Sequence, residues 1–270
     1  MILISCTTTQ ERVDKLFYTI ESLKYQNKKP DKIIVNLSKE PYLKDSGIEK
    51  IPVWLSENAK VVVNFVKNTG PYRKLIPVFD MANDDDMIIT IDDDVIYHEE
   101  WLNKLVTAGE KKRNAIVCGK ARVMKKNFFG KWQSYSRWNQ LETMEEGHNI
   151  LPIGCAGILY RKNLIDKEFI NNKKFLLLAP TCDDLWFRMA SIRMGIEVFA
   201  DPAIDIGNIY MQHDEGLDVI NLNKPARGFF NRLYHAFARE YLAYFGFYHS
   251  QNDVAWREIN KNFRTALRKF

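Results

Sequence analysis

The spacing of apolar positions in the first forty residues predicts a strand, a helix and a second strand. Ile2 to Ile4 form a short apolar run, and a polar turn follows. The apolar residues after the turn recur at helical spacing: Val13, Leu16, Phe17, Ile20 and Leu23. Pro30 and Asp31 then precede a second apolar run at 32–35. A strand–helix–strand unit of this kind predicts two parallel strands of one sheet.

The same patterns continue to residue 223 and predict further strands and helices. Strand-like apolar runs stand at 59–66, 87–91, 115–118, 197–199 and 209–211. Runs with helical spacing end at Met81, Ala108 and Met194. Strands that alternate with helices predict an α/β fold with a mostly parallel sheet.

Composition and charge narrow the class of protein only slightly. The 270 residues are 46% hydrophobic and 27% charged, as in ordinary globular proteins. The net charge of +5 favours an anionic ligand or surface, and we expect no nucleic acid partner. No apolar run reaches about 18 residues, and the first residues lack a basic signal-peptide region, so we expect neither a membrane span nor secretion. The scattered cysteines without a C-x-x-C pair predict reduced thiols in the cytoplasm.

Three adjacent carboxylates, Asp92–Asp94, follow the apolar run 87–91 directly. In open α/β sheets the carboxyl ends of the strands are where ligands bind, and three neighbouring anions repel one another unless something neutralises them. The pattern therefore indicates a divalent cation or a polar sugar-nucleotide at this point. The alternative is a solvated acidic turn, which is our interpretation of 84–86 just before the strand.

Two turns could hold a nucleotide. The turn at 5–9 lacks the G-x-G-x-x-G pattern of dinucleotide-binding proteins, and its hydroxyls either contact a nucleotide or cap the following helix. In 68–74, Gly70 and Pro71 suit a tight turn and a helix start, where a positive helix end and Lys74 would favour an anion. A plain surface role for Lys74 stays open.

This order of elements, with Asn-x-Gly-Pro-x-x-Lys at 68–74 and Asp-Asp-Asp-Val-Ile-Tyr at 92–97, resembles the GT-A glycosyltransferases. The likeness is closest to bacterial family-2-like members, with some likeness to the exostosin transferase domain. It implies a Rossmann-like GT-A domain over 1–223, with a nucleotide-binding half at 1–97 and an acceptor half at 98–223. It also implies transfer from a nucleotide-sugar, expected to be a UDP-sugar, to a saccharide or lipid-linked acceptor in surface or capsular polysaccharide synthesis.

The resemblance also implies roles for the acidic motif. Asp94 would be the principal ligand of Mn²⁺ or Mg²⁺, and Asp92 would be a second ligand that faces the ribose or uracil, with Asp93 between them. The nucleotide-sugar-binding set that it implies is Thr7, Thr8, Arg12, Asn68, Gly70, Lys74, Asp92, Asp93 and Gly157. One departure is that the second strand ends in Val-Asn-Leu-Ser at 35–38, without the acidic pair that contacts uracil in many members.

A second acidic pair, Asp183-Asp184, stands at the start of a predicted helix. By the resemblance Asp184 is the catalytic carboxylate that accepts the proton of the acceptor hydroxyl, and Asp183 is its neighbour or a helix cap. Two capping aspartates without a catalytic part are the alternative. The resemblance further makes His213 a third metal ligand, although a surface histidine fits the sequence equally.

Two stretches are basic and rich in aromatic residues. From Lys111 to Trp138 there are nine lysines and arginines and no acidic residue, with rings at Trp132, Tyr135 and Trp138. These rings would meet a sugar or an anionic lipid-linked acceptor, or the stretch is a polar insertion. The extension 224–270 contains a predicted basic amphipathic helix that either lies in a membrane interface, at the inner face of the membrane, or packs on the sheet or on a second subunit.

Two other functions stay open on the sequence. Asp92 and Asp94 also match the nucleophile motif of haloacid-dehalogenase-type phosphatases, with Asp183-Asp184 as a metal-binding pair, although that motif usually stands on the first strand. A catalytically inactive carbohydrate-binding domain is the third interpretation. Release of nucleoside diphosphate, hydrolysis of a phosphate ester, or saccharide binding alone would separate the three.

Overall fold

The computed structural model describes residues 1–211, 241–247 and 250–263. Its strands are β1 (Ile2–Thr7), β2 (Lys32–Leu37), β3 (Val61–Phe65), β4 (Met87–Thr90), β5 (Val95–Ile96), β6 (Ala115–Cys118), β7 (Ala121–Val123), β8 (Glu145–Gly147), β9 (Ile150–Pro152), β10 (Ile158–Tyr160), β11 (Glu197–Ala200) and β12 (Ile209–Tyr210). Its α-helices are α1 (Val13–Lys24), α2 (Val53–Ser56), α3 (Ile76–Met81), α4 (Trp101–Lys111), α5 (Lys167–Ile170), α6 (Phe175–Leu178), α7 (Asp183–Arg193) and α8 (Gln251–Asn262).

Eight of the described strands form one central sheet in the order β3-β2-β1-β4-β10-β6-β11-β8. The first four are parallel to their neighbours, and β6 is parallel to β11. The reversed strands are β10, which is antiparallel to β4 and β6, and β8, which is antiparallel to β11. The predicted α/β fold with a mostly parallel sheet flanked by helices is confirmed.

The strand directions bring three chain segments to one edge of the sheet. β1 and β4 are parallel neighbours, so the turn after Thr7 and the loop that carries Asp92 leave the sheet on the same side. β10 runs the other way, so the segment at Gly154, which precedes it, lies at that edge too. Strand pairing thus places segments close together that are about 60 to 150 residues apart in the chain.

Helices cover both faces of the sheet because successive strand residues point to opposite sides. Ile4 packs in one buried cluster with Leu16 of α1 and Leu105 of α4. Leu3, its neighbour, belongs to the opposite cluster, which includes Val78 of α3. The apolar spacing of α1 is confirmed, since Val13, Leu16, Ile20 and Leu23 are all buried.

The helix predicted to end at Met81 is divided in two. Residues Gly70–Lys74 form a 3₁₀ turn, and α3 begins only at Ile76. Pro77 explains the break, because it has no backbone N–H to donate to the carbonyl of Arg73 one turn earlier and its ring would clash with that carbonyl in a continuous α-helix. The 3₁₀ turn carries Lys74 inward, where it is buried.

The described part of the carboxyl-terminal extension packs against the main body. α8 contacts α7 and α6, and Trp256 and Ile259 belong to the same buried cluster as the sheet residues. The Trp256 ring lies 5.6 Å from the ring of Trp132 and 5.9 Å from that of Trp138. These two rings of the basic stretch therefore pack against α8.

Three predictions fall on residues 212–240. His213 and most of the predicted basic amphipathic helix lie outside the described residues, and so does the domain boundary at 223, which stays a prediction. Among the residues that the structure does describe, no helix is both long enough and apolar enough to cross a membrane.

Candidate active site

A cavity of about 1400 Å³ opens at the edge of the sheet where β1 and β4 end. Its walls come from the turn after β1, the loop after β4, the segment before β10 and the amino end of α7. The predicted site residues that line it are Thr7, Thr8, Arg12, Gly70, Lys74, Asp92, Asp93, Asp94, Asp183 and Asp184. A concave, charged cavity at this edge is the expected ligand site of an open α/β sheet.

The turn after β1 holds the middle aspartate of the acidic motif. Thr8 Oγ1 donates to Asp93 Oδ2 at 2.5 Å, and Arg12 Nη2 donates to Asp93 Oδ1 at 2.5 Å and to Asp94 Oδ2 at 2.8 Å. Thr7 Oγ1 instead donates to the carbonyl of Asn36 at 2.8 Å. Thr8 and Arg12, which the sequence suggested as donor-binding residues, therefore also fix the conformation of the acidic loop.

The three adjacent aspartates have different environments. Asp93 is buried, and burial raises its pKa to about 6 even though the Arg12 guanidinium opposes the shift. The side chain of Asp92 is 34% exposed and that of Asp94 is 15% exposed. Asp93 is therefore the structural member of the motif, while the carboxylates of Asp92 and Asp94 are the ones that a ligand can reach.

Lys74 lies at the centre of a carboxylate cluster. Its Nζ is 2.8 Å from Asp183 Oδ2, 3.3 Å from Asp92 Oδ1 and 3.7 Å from Asp184 Oδ1, and its side chain is only 7% exposed. Burial alone would lower the pKa of this ammonium group, but the three carboxylates outweigh burial and hold the pKa well above its usual range. Lys74 is thus a buried, charged residue that joins the two acidic motifs, and the surface alternative is wrong.

Asp184 can take a proton near neutral pH. Burial raises the pKa of its carboxyl to about 7, the Lys74 ammonium opposes that shift, and Asp183 and Asp92 add to it. Asp184 Oδ2 also accepts a hydrogen bond from the Gly154 backbone N–H at 3.1 Å. The side chain is 23% exposed, so it remains accessible from the cavity.

Because Gly154 has no side chain, the carboxylate cluster around Lys74 can lie directly against its backbone. A Cβ at this position would lie 2.6 Å from Lys74 Nζ, 3.3 Å from Asp184 Oδ1 and 3.5 Å from Asp92 Oδ1. Real Cβ atoms essentially never approach another heavy atom within 3.0 Å. A side chain at residue 154 would therefore displace the ammonium group from its three carboxylates.

Neither aspartate at the start of α7 caps that helix. The N-cap is Cys182, and no side chain accepts a hydrogen bond from the first turn. Asp183 instead pairs with Lys74, and Asp184 accepts from Gly154. The alternative of two capping aspartates does not describe the structure.

Two of the predicted site residues that the structure describes, Asn68 and Gly157, are not brought to the cavity. Asn68 is buried and donates to Asp45 Oδ2 and to the carbonyl of Glu40. Gly157 has a φ of +86° and lies against the Trp101 ring, 2.4 Å from where its Cβ would stand, so it serves packing. His213 lies outside the described residues.

Tyr135, a ring that the sequence suggested would meet the acceptor, also lines the cavity, whereas sequence reasoning missed four further lining residues: Asp45, Gly154, Arg122 and Tyr210. Asp45 accepts from Arg73 Nη2 at 2.6 Å and from Asn68, and it thereby fastens its loop to the turn that carries Lys74. Nothing in the sequence around Asp45 signals this contact. The glycine at 154 can be read from the sequence. The reason for it cannot, because it is the contact with Lys74, 80 positions earlier in the chain.

No group of three or more His, Cys, Asp or Glu side chains converges as a ready metal site within the part of the chain that the structure describes. Within the acidic loop, the carboxylates that are accessible from the cavity are those of Asp92 and Asp94. Magnesium is usually bound by one or two carboxylates together with phosphate oxygens and water, so two such residues are enough for a site that a phosphate ligand completes.

The fold and the acidic loop at the end of β4 agree with the resemblance to GT-A glycosyltransferases, and the comparison with family models gives the family. The model of Glycosyl transferase family 2 matches residues 6–169, which is more than half of the chain. The chain belongs to this family. The predicted recognition and the glycosyltransferase class are therefore confirmed at the level of the family.

Solved structures were also compared. The structure of S. aureus TarS 1-349 in complex with UDP has 13% sequence identity and a TM-score of 0.44, and the match covers 74% of this chain and 57% of that chain. The structure of S. aureus TarS 1-349 without UDP has 13% identity and a TM-score of 0.43 over 74% and 56%. The chain thus spans little more than half the length of these structures. No curated protein sequence matches it.

Proposed function

We propose that this protein transfers a sugar from a nucleotide-sugar to an acceptor hydroxyl, with Asp184 as the general base. The observation that carries the proposal is the ion-pair cluster around Lys74, which joins Asp92 of the acidic loop to Asp183 and Asp184 of α7. In the family resemblance these two motifs serve the donor diphosphate and the acceptor. A transfer reaction needs the donor diphosphate and the acceptor hydroxyl beside one another. The two motifs that would bind them line the same cavity.

The donor side is formed by the acidic loop. Asp92 and Asp94 are accessible carboxylates, and their hard-oxygen chemistry fits Mn²⁺ or Mg²⁺. When bound there, such an ion would neutralise the diphosphate of the leaving group. Arg12 holds Asp94 and Asp93 in place, and the buried Asp93 fixes the loop between the two ligands.

The acceptor side is formed by Asp184. In a single displacement the acceptor hydroxyl gives its proton to the Asp184 carboxylate, and the oxygen forms a bond to the anomeric carbon. The bond from that carbon to the diphosphate oxygen breaks, and the nucleoside diphosphate leaves with the electron pair. A base with a pKa near the working pH is well matched to this step, and the pKa of Asp184, about 7, meets that condition.

Lys74 keeps the base ionised and in position. Its ammonium group lowers the pKa that burial would otherwise give Asp184, and the Gly154 N–H fixes the second carboxylate oxygen. Without these contacts a buried carboxyl would be neutral at pH 7 and could not accept a proton. Lys74 is therefore better described as a positioning residue than as a direct anion ligand.

The remaining substrate details rest on the family resemblance. We propose a UDP-sugar donor, a saccharide or lipid-linked acceptor, and a role in surface polysaccharide synthesis at the cytoplasmic face of the membrane. The neutral end of β2, where Asn36 Nδ2 donates to Ser5 Oγ at 2.9 Å, offers no carboxylate to a uracil ring, so base recognition must use other groups.

Donor turnover tests the proposal. The protein is incubated with a panel of nucleotide-sugars and an acceptor mixture, with Mn²⁺ or with chelator, and release of nucleoside diphosphate is measured. We expect the wild type to release nucleoside diphosphate from at least one donor. Asp94→Ala should lose this metal-dependent turnover, while its circular dichroism spectrum should show that the fold is intact. Hydrolysis of a phosphate ester without donor turnover would favour the phosphatase, and saccharide binding without either reaction would favour the inactive domain.

A further inference from the structure

An exposed aromatic turn projects from the basic stretch. It consists of residues 127–131, Asn-Phe-Phe-Gly-Lys, and we call it the aromatic turn. Phe128 is 88% exposed and Phe129 is 69% exposed. The Phe129 ring lies 6.5 Å from that of Phe245, which is exposed as well, as is Phe247 two residues further on. Exposed rings in a group are unusual on a soluble surface and mark a contact site.

The backbone of this turn is held without help from the two rings. Asn127 Oδ1 accepts from the N–H groups of Phe129 and Lys131, each at 3.0 Å, and the Phe128 N–H donates to Tyr244 Oη at 3.1 Å. The Asn127 N–H also donates to the Lys131 carbonyl at 2.7 Å. The side chains of Phe128 and Phe129 are thus presented to solvent by a well-bonded turn and are not needed to build it.

The surroundings of the aromatic turn are positively charged. It lies within the stretch from Lys111 to Trp138 that has nine basic residues and no acidic one. Lys126 and Lys131, on either side of the two rings, are both exposed. Aromatic rings flanked by lysines are the composition of protein segments that lie in the interface of an anionic membrane.

We propose that the aromatic turn docks this protein on an anionic lipid surface, with Phe128 and Phe129 inserted among the lipid headgroups. The shape favours lipid over a protein partner. The two rings stand on a five-residue turn, and apart from its chain neighbours no atom of the described residues lies within 4 Å of a Cβ built on Gly130. A protein partner would need a pocket that matches the two projecting rings, whereas a layer of lipid headgroups can accommodate them at any point of its surface.

The contact would also place the cavity at the membrane. Arg122 and Tyr135, from the same basic stretch, line the cavity, and the guanidinium of Arg122 lies 4.9 Å from the centre of the Tyr135 ring. The aromatic turn and these two lining residues belong to one short chain segment, residues 122–135, so we infer that a membrane bound at the turn holds the cavity near the lipid surface. This position favours a lipid-linked acceptor. That assignment rests on the proposed function, whereas the membrane contact itself is independent of it.

Vesicle binding by the full chain tests the proposal. Co-sedimentation is measured with phosphatidylcholine vesicles that contain or lack phosphatidylglycerol, at low and at high salt. We expect binding to the anionic vesicles only, weakened by salt. Phe128→Ser/Phe129→Ser should reduce it about tenfold or more, and Phe128→Trp/Phe129→Trp should retain it. The matched control is Tyr18→Ser/Tyr25→Ser, which removes two exposed rings from α1 and its end and should leave binding unchanged.

Several results would overturn the proposal. The first is that the wild-type protein does not bind anionic vesicles. The second is that the tyrosine control variant loses as much vesicle binding as the serine variant, and the third is that the serine variant binds vesicles as strongly as the wild type. A serine variant that binds vesicles normally but no longer forms a dimer or a protein complex would assign the turn to a protein partner. Failure of the proposed function is distinguishable, since an enzyme without donor turnover would still bind vesicles through this turn.

Discussion

At Gly154 the addition of a single methyl group would disturb the ion-pair cluster around Lys74. The position where a Cβ would stand is 2.6 Å from Lys74 Nζ, the flexible end of a side chain that can move aside. We therefore expect Gly154→Ala to fold normally, with a thermal midpoint within a few degrees of wild type. Its turnover should fall about tenfold or more, because the ammonium group no longer contacts Asp184. Steady-state kinetics check this, and unchanged turnover would show that the contact is not needed.

The charge of Asp184 should also cost stability. Its pKa in the folded protein, about 7, lies above the unfolded value, so ionisation disfavours folding and stability rises as pH falls through 7. From about pH 8 to about pH 5 the wild type should gain on the order of 2–3 kcal/mol that Asp184→Asn does not gain. Urea denaturation at several pH values measures the difference between the two proteins. Parallel pH profiles would contradict it.

The residues that carry chemistry were predictable, but their grouping was only partly so. Runs of aspartate after a strand and at a helix start stand out in the sequence, and Asp92, Asp94, Asp183 and Asp184 all line the cavity. The contacts of Lys74 were not predictable, because they join positions 18 to 110 residues apart in the chain. Gly157 was assigned to the donor site on its residue type, whereas the Trp101 ring against it explains the glycine.

At the scale of elements, α8 stabilises the wall that carries the aspartates. Trp256 is buried between α7 and the rings of Trp132 and Trp138. Trp256→Ala should therefore lower the free energy of unfolding by about 3–5 kcal/mol. Val254→Ala, on the exposed side of the same helix, is the control and should change it by less than about 0.5 kcal/mol. Chemical denaturation distinguishes them, and similar values for both would mean that α8 does not stabilise the main body.

The long elements followed from apolar spacing, while most of the short ones did not. α1 and α4 show clear helical periods, and β1, β2 and β4 are apolar runs bounded by polar residues. Among the short strands, β12 was predicted from the apolar run at 209–211, whereas β5 and β7 have only two and three residues, too few for a period to show. They form through tertiary pairing, such as β12 with β5, which holds the chain after Asp94.

At the scale of the whole molecule, the fold brings together two motifs that are about ninety residues apart. The end of β4 supplies Asp92 and the start of α7 supplies Asp184, and Lys74 lies between them. The family match ends at residue 169, before α7, so the part that carries the proposed base lies outside it. The assignment of Asp184 therefore rests on the resemblance of its motif and on the geometry, and not on the matched family model.

The most direct test of this account is turnover and donor binding measured side by side for Asp184→Asn and Asp183→Asn. Calorimetry with the nucleotide-sugar and metal gives donor affinity, and product release gives turnover. The account predicts that Asp184→Asn binds donor as wild type does but loses transfer by about 10²-fold or more, because an amide cannot accept the proton, while Asp183→Asn loses less. Near wild-type transfer by Asp184→Asn, or a larger loss in Asp183→Asn, would contradict it.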